Sequence, residues 1–422
     1  MRSSVAFLFC AALRASTGGA SVSDGCHRET ETEAEVCLAD TARRAAAQEE
    51  GTQGAIGLVQ LSIAKLQAAR QADGAAVAAV ARANSETRHV AYVACGGTYF
   101  DTEARLSLRS LCAQAKLDHL HSLQNGGPAI KVDVHIVLDD EAMVSHTKWV
   151  ESEGEYWAPI IDFHTYHVHQ ILKDEPELLQ LWNRFIDLDD TRPCASVDLF
   201  LPHVIPPNVT DVVYIDSDTR IVGSMTTLFE PLPAPLVWAM GDDLISSYNP
   251  KFCSSNGYKG KCYYGFAGLN SGVIAFNTQR FRECGVLNES VWWLEQVEAG
   301  EIVHKFGDQD VINYIAENHE ADGWTTILPC DTNVRPWMDE MITHLNPRVC
   351  DLPSKPIILH GVVHSFEDKP GWHAVSGRVD EAVERVRELP WDVAGNSTVI
   401  PMTLCELSDC LNFKDVQALE HP

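Results

Sequence analysis

The sequence predicts an α/β fold, a mostly parallel Rossmann-like sheet with helices on both faces, and three observations carry that expectation. From His89 onward, apolar runs of strand length alternate with helix-length segments, the order that produces parallel strands joined by helical crossovers. The run Asp211-Val-Val-Tyr-Ile-Asp-Ser-Asp218 is a short apolar strand ending in two carboxylates at i and i+2, and side chains two apart on a strand share a face. Hydrophobic residues make up 45% of the chain and charged residues 22%, which supplies a large core and argues against wholesale disorder.

In chain order, Met1-Arg-Ser-Ser4 precedes an apolar run from Val5 to Leu13 and a small-residue stretch to Ala20, the outline of a signal peptide or signal-anchor over residues 1–20. The run is shorter than the roughly 20 apolar residues of a spanning helix, so contact with a membrane is expected only if this segment stays uncleaved. Residues 21–88 read as an acidic, Ala-rich helical stalk. Within it Ile56, Val59, Ile63 and Leu66 fall at spacings of three and four, a short seam that fits self-association and packing on the remainder of the chain equally well. Residues 89–390 form the main domain. Its expected strands are Val90–Ala94, Val132–Leu138, Phe163–Val168, Asp211–Ile215, Leu236–Met240 and Gly272–Phe276, and its expected helices Glu103–His119, Cys194–Val204, Arg280–Glu298 and Asp308–Glu317. Ligands of such sheets bind beyond the carboxyl ends of the strands, where Asp216 and Asp218 stand. Residues 391–422 show no strong period and are expected as an irregular tail closed by a Cys405/Cys410 loop.

Charge narrows the partners. With 59 acidic against 32 basic residues the net charge is −27, which repels nucleic-acid phosphates and anionic membranes, so no nucleic-acid partner is expected. Thirteen cysteines, with Cys10 in the leader, fit an oxidising compartment, and close pairs fall at Cys26/Cys37, Cys253/Cys262, Cys330/Cys350 and Cys405/Cys410. Asn208-Val-Thr, Asn288-Glu-Ser and Asn396-Ser-Thr are glycosylation acceptors in that setting. The expected location is the lumen of the secretory pathway, endoplasmic reticulum or Golgi, with secretion open.

The chemistry begins at Asp216 and Asp218. Two hard oxygen ligands at a strand end suit Mn²⁺ or Mg²⁺, ions that also hold substrate phosphates. A lone Asp-x-Asp is more often a solvated strand end, so the neighbouring segments decide. Gly268-Leu-Asn-Ser-Gly-Val-Ile-Ala-Phe-Asn277 opens a strand with a small polar triplet that allows close approach of a ligand. Gly307-Asp-Gln-Asp-Val-Ile-Asn313 begins a helix, whose free amides and dipole favour an anion or sugar hydroxyls. Leu328-Pro-Cys330 and Asn333-Val-Arg-Pro336 form a loop, and Ile358-Leu-His360 ends a late strand with a nitrogen donor that Mn²⁺ accepts. Taken alone, His360 reads as a satisfied core histidine, Asp308 as a residue stabilising a first helical turn, and Gln309 as a surface residue. In a strand near Phe163–Val168, His167 and His169 would share one face and His164 the other, so these three do not converge. Trp292 and Trp293 are expected in the core.

In this order and spacing the segments resemble the retaining glycosyltransferases of family 8, and within them the glucoside xylosyltransferase branch. The match extends to Ala94-Cys-Gly96, Pro193-Cys-Ala-Ser196 and Tyr264-Gly-Phe-Ala-Gly268, and covers roughly residues 89–390. The resemblance implies a nucleotide-sugar-binding GT-A-like fold for the glycosyltransferase domain. It implies a UDP-sugar donor, Mn²⁺ or Mg²⁺ as cofactor, and a glycan or glycoprotein acceptor. Carried over residue by residue, it makes Asp216, Asp218 and His360 the metal ligands, with Ser217 between the first two. Asn270, Ser271, Gly272, Asp308 and Gln309 line the donor sugar, Asp308 and Gln309 being the catalytic pair. Ala94, Cys95 and Gly96 lie near the uracil and ribose, and Gly361 and Lys369 face the diphosphate.

Two departures stand out. Where the branch has Arg in a Cys-Ala-Ala-Gln-Arg-Leu-Phe segment, this chain reads Cys194-Ala-Ser-Val-Asp-Leu-Phe200, so Asp198 replaces a cation that touches the donor. A carboxylate there would repel a diphosphate, so Asp198 must face a hydroxyl or another cation, or the donor must sit differently. Lys369 arrives one residue early, and Trp372 follows as in other branches. The expected reaction is metal-dependent, retaining transfer of xylose from a UDP-sugar to an acceptor hydroxyl. The alternatives are a glucosyl- or galactosyltransferase of the same family, and a non-catalytic luminal sugar- or cation-binding protein with the same fold.

Overall fold

The computed structural model describes residues 85–94, 103–167, 173, 175–188, 196–243, 248–335, 356–361, 366, 370–391, 401 and 403–408. By compactness the chain divides into Met1–Ala83 and Asn84–Pro422. The leader, residues 21–84 of the expected helical stalk and the Cys26/Cys37 pair lie outside the described residues, while residues 85–88 of that stretch are strand rather than helix.

Nine strands are described: β1 (Ser85–Ala94), β2 (Ala129–Leu138), β3 (Ile161–His167), β4 (Asp211–Ile215), β5 (Thr219–Ile221), β6 (Trp238–Asp242), β7 (Leu269–Asn277), β8 (Thr325–Ile327) and β9 (Ile358–His360). Seven form one sheet in the order β3-β2-β1-β4-β7-β6-β8, and β5 pairs with β9 in a second, two-stranded sheet. In the main sheet only β7 runs against the rest, antiparallel to both β4 and β6.

The helices are α1 (Arg105–Gln124), α2 (Asp140–Trp149), α3 (Pro176–Leu188), α4 (Leu201–Val204), α5 (Pro250–Ser255), α6 (Thr278–Glu283), α7 (Val286–Glu298), α8 (Asp308–Asn318), α9 (Pro370–Glu388) and α10 (Leu404–Ser408). Strand alternation sorts the core into two layers. Val90, Tyr92, Val213 and Ile215 pack on one face with Leu108 and Leu111 of α1 and with Val375, Val379 and Val383 of α9. Ala91, Val93, Val212 and Tyr214 pack on the other with Trp182, Trp293 and Val311 of α3, α7 and α8. A fully buried Val or Leu in such a layer contributes about 1.5–3 kcal/mol.

Several elements differ from expectation for local reasons. β1 starts at Ser85, ahead of the expected start of the main domain at His89, because the polar Ser-Glu-Thr-Arg stretch pairs in register with Ala129–Val132. Arg88 is buried there by donating to Glu86 and Asp118 at 2.9 and 3.4 Å. The expected helix over 280–298 is two helices, since Gly285 takes a left-handed φ of 71° between α6 and α7. Asn277 starts the first by accepting from the Arg280 N–H at 2.9 Å. The described part of the Cys194–Val204 helix is a 3₁₀ turn, Val197–Phe200, running into α4. The tail holds α10, whose Leu404 N–H donates to Gln114 of α1 at 3.0 Å.

Cys253 and Cys262 form the expected disulfide, and Cys330 and Cys405 each take part in a disulfide as well. Cys350 and Cys410 lie outside the described residues. Among the described residues no helix is long and apolar enough to cross a membrane.

Burial also sets an acid limit on the fold. His146 on α2 is 2% exposed, and burial lowers its pKa to about 4 from 6.5. The unfolded chain therefore takes up a proton that the folded chain refuses, so stability falls as pH drops below 6.5 and levels off below about 4. Thermal melts between pH 7.5 and pH 4.5 should show a smaller acid-induced drop for His146→Gln than for wild type, the difference being on the order of 3 kcal/mol at most.

Candidate functional site

The site forms where a strand ends and its antiparallel neighbour begins. The Asp216 N–H still donates to the Gly272 carbonyl at 2.9 Å as the chain leaves β4. Because β7 runs the opposite way, its first residues, Asn270, Ser271 and Gly272, lie beside the last residues of β4, with Val273 opposite Ile215. The chain then turns back, Thr219 Oγ1 donating to the Asp216 carbonyl at 2.8 Å, and β5 pairs with β9 so that Thr219 stands opposite His360. Arg220, 1% exposed, anchors this turn from below. It donates to Glu103 at 3.2 Å and Ser376 at 3.0 Å and lies 4.5 Å from the centre of the Phe366 ring.

Asp216, Asp218 and His360 are thereby brought together. His360 Nε2 lies 3.3 Å from Asp218 Oδ1 and 3.5 Å from Asp216 Oδ2, and one donor atom from each residue falls within 4.8 Å of the others. The Tyr214 hydroxyl donates to Asp216 Oδ1, leaving Oδ2 for the centre of the cluster. Burial alone would lower the pKa of His360, but Asp218 and Asp216 together raise it above 6.5. Burial would likewise raise Asp218, yet His360 holds it below the usual carboxylate range. Two carboxylate oxygens and one imidazole nitrogen, partly open to solvent, fit Mn²⁺ or Mg²⁺.

Gly272 makes the convergence sterically possible. A Cβ there would sit 2.0 Å from His360 Cε1 and 2.4 Å from Nδ1, so the imidazole lies directly on the β7 backbone. Ser217 occupies the turn between the two carboxylates. Asp308 begins α8 and accepts from Ser271, and burial pushes its pKa up to about 7, with Asp216 adding to the rise. Gln309 Oε1 accepts from Asn270 Nδ2 at 2.9 Å. Ala94 ends β1, buried, while Cys95, Gly96 and Lys369 lie outside the described residues. The Gly361 N–H is used inside the fold, donating to the Asp218 carbonyl at 2.7 Å.

Asp198 is 1% exposed, with Oδ1 accepting from the Leu199 N–H at 2.8 Å. Burial, then Asp308 and Asp216, push its pKa well above the usual carboxylate range. Its surroundings therefore favour the protonated form, which lessens the repulsion that a second anion beside the cluster would bring.

Residues 196–327 match the family model described as glycosyl transferase family 8. The chain thus holds a region similar to the family 8 glycosyltransferases. Glucoside xylosyltransferase 1 of Rattus norvegicus is 26% identical over 306 residues, 69% of this chain and 62% of the relative. Glycosyltransferase GlyF of Streptococcus pneumoniae is 29% identical over 184 residues, 43% of this chain and 37% of that protein. The chain thus spans less than two thirds of the length of either relative. The solved apo structure of mouse xyloside xylosyltransferase 1 aligns with a TM-score of 0.47 at 13% identity, over 66% of this chain and 99% of that one.

The family 8 region and the loop after it also hold supporting residues that sequence pattern did not single out. Asp310 accepts from the Lys305 and Phe306 amides at 2.6 and 3.0 Å and from the Tyr248 hydroxyl at 2.6 Å, which shapes the loop entering α8. Asn313 brackets Leu269, accepting from its N–H at 2.7 Å and donating to its carbonyl at 2.9 Å, and so ties the start of β7 to α8. Asn333 Oδ1 accepts from His360 Nδ1 at 3.0 Å, and its Nδ2 donates to Asn270 Oδ1 at 2.7 Å. Buried amides joining a strand start to a helix are the retrospective signal; their partners are distant in sequence.

His164 does not converge with His167; its neighbours are His135 and His89 on adjacent strands, its ring stacked 5.0 Å from that of His135. His135 Nε2 lies 3.1 Å from His89 Nδ1, and its Nδ1 lies 2.9 Å from the Tyr166 hydroxyl. His169 lies outside the described residues. Trp293 is in the core, whereas Trp292 is 42% exposed and stacks on Tyr314.

Gly272→Ala should displace the His360 ring and cost about 1–3 kcal/mol of stability from overpacking. Mn²⁺ titration alongside a thermal melt checks this: Mn²⁺ affinity is expected to fall at least about tenfold, as for a displaced metal ligand or its support, while the protein remains folded.

Proposed function

We propose that this chain transfers a sugar, with xylose the first candidate, from a UDP-sugar to a hydroxyl of a glycan or glycoprotein, with retention of anomeric configuration and with Mn²⁺ or Mg²⁺ bound by Asp216, Asp218 and His360. The observation that carries the reading is the convergence of those three side chains from β4, the following turn and β9 at the carboxyl edge of the sheet. The names of the rat relative and of the family model point the same way.

A bound divalent ion would supply Lewis-acid stabilisation of the charge that grows on the leaving diphosphate. The protein's own part is placement. Asp216 and Asp218 present oxygens on one side of the turn, and His360 presents Nε2 from the other. Asp308, at the start of α8, and Gln309 would position the sugar hydroxyls, which lowers the barrier by fixing the reacting geometry. The Asn270 bond to Gln309 Oε1 supports same-face attack over a covalent intermediate, because it occupies a lone pair of an already weak amide nucleophile. The burial of Asp198 supports an intact donor site, since it disfavours a further negative charge against the diphosphate. The four disulfide-bonded cysteines described above support an oxidising compartment such as the secretory lumen.

UDP release from UDP-xylose, UDP-glucose and UDP-galactose, each with Mn²⁺ and with Mg²⁺, tests the reading. Preference for either hexose donor would reassign the sugar, and no release with any donor would leave a binding protein. Asp216→Ala or Asp218→Ala should lower turnover on the order of 100-fold or more with the melting temperature nearly unchanged; turnover that survives both substitutions and a chelator would overturn the metal role. Because His360 has a raised pKa, a proton competes with the ion, and Mn²⁺ affinity measured by titration should weaken as pH falls through that raised value.

A further inference from the structure

One backbone amide fixes the polarity of a chain of side chains that ends at the metal ligand. The Gly272 N–H can only donate, and it donates to Asn270 Oδ1 at 3.2 Å. Asn270 therefore turns its amide nitrogen outward, where Nδ2 donates to Gln309 Oε1 at 2.9 Å. The same Asn270 Oδ1 lies 2.7 Å from Asn333, which must offer its own nitrogen, Nδ2, to that oxygen. Asn333 is then left with Oδ1 toward His360, 3.0 Å from Nδ1. An amide oxygen only accepts, so Nδ1 carries a proton, and in the neutral imidazole Nε2 is the nitrogen whose lone pair faces Asp216 and Asp218.

Asn333 has little freedom to do otherwise. It is 3% exposed, and a Cβ on Gly241 would meet its Cβ at 3.2 Å. Its flanking backbone is held to β9, with the Val334 N–H donating to Ile358 at 2.9 Å and the His360 N–H donating to Val334 at 2.8 Å. Arg335, 2% exposed, fixes the next turn by donating to Asp243 at 2.7 Å.

We infer that Asn333 is a positioning residue that holds His360 in the tautomer presenting Nε2 to the cation and, through Asn270, links that ligand to Gln309. The inference rests on the proposed glycosyl transfer and adds a specific coupling to it: the ligand end and the sugar end of the site share one polarised relay. Partners of this kind orient a ligating imidazole and raise its basicity, and their loss typically weakens metal binding 10–100-fold.

Two variants of the full chain separate the two ends of the relay. Asn333→Ala removes both bonds. Asn333→Asp keeps an oxygen for the Nδ1 proton but offers no N–H to Asn270. Mn²⁺ affinity by titration, kcat and donor KM by UDP release, and a thermal melt are measured on each and on wild type. Asn333→Ala is expected to weaken Mn²⁺ about 10–100-fold and to lower kcat. Asn333→Asp is expected to keep Mn²⁺ affinity near wild type while kcat still falls, a split that a merely structural role would not give. Wild-type Mn²⁺ affinity in a folded Asn333→Ala, with wild type active, overturns the inference alone. If the alanine variant does not fold, loss of Mn²⁺ affinity in a folded Asn333→Asp overturns it equally. A wild-type protein that neither binds Mn²⁺ nor releases UDP overturns this inference and the proposed function together.

Discussion

The antiparallel placement of β7 beside β4 is the constraint on which the site depends. In an all-parallel sheet the start of one strand lies at the opposite edge from the end of its neighbour. Reversing β7 sets Asn270, Ser271 and Gly272 against Asp216, so a short polar stretch and a pair of carboxylates occupy the same few ångströms. The missing side chain at Gly272 then lets a third element, β9, lay an imidazole on that junction. Each step uses backbone direction or the absence of bulk, and only the last uses a reactive group.

Electrostatics in such a junction must be managed, because Asp198, Asp216, Asp218 and Asp308 crowd together. The solution is uneven. Asp218 stays ionised against His360, while burial and mutual repulsion push Asp198 and Asp308 upward. Carboxyl groups of one kind thus divide into proposed ligands and acids whose pKa is raised, according to what surrounds them. Lys116 illustrates the converse in the core between α1 and α9. Its ammonium donates to the Tyr156 hydroxyl at 2.6 Å and the Leu389 carbonyl at 2.7 Å, with no carboxylate in ion-pair range among the described residues, and burial lowers its pKa to about 8.

The fold was legible where one physical pattern dominated. Apolar strands such as Val132–Leu138 and Asp211–Ile215, and a helix N-terminus at Asp308, follow from periodicity and turn chemistry. β1 was cut short because Ser85–Arg88 are polar, and the burial of Arg88 depends on Glu86, on Asp118 and on pairing with β2, which no local window contains. The break at Gly285 hid inside a good helical pattern. At the site, Asp216, Asp218 and His360 were legible through motif order, which carries distant contacts that single residues do not. Asn313 and Asn333 were not, since an asparagine reveals its role only through partners supplied by other elements. The His89, His135 and His164 grouping was obscured for the same reason: neighbours across a sheet are set by register, not by sequence distance.

The arrangement of ligands has a thermodynamic corollary. Asp216 and Asp218 follow β4, whereas His360 arrives on a three-residue strand whose ladder partner is β5. An ion grasped by all three is therefore a reversible cross-link between remote segments, and free energy of association becomes free energy of folding, about 2.7 kcal/mol when the free ion exceeds its dissociation constant 100-fold. The small β5–β9 sheet, with few backbone bonds of its own, is the part of the molecule whose cohesion would respond most to the supply of that ion.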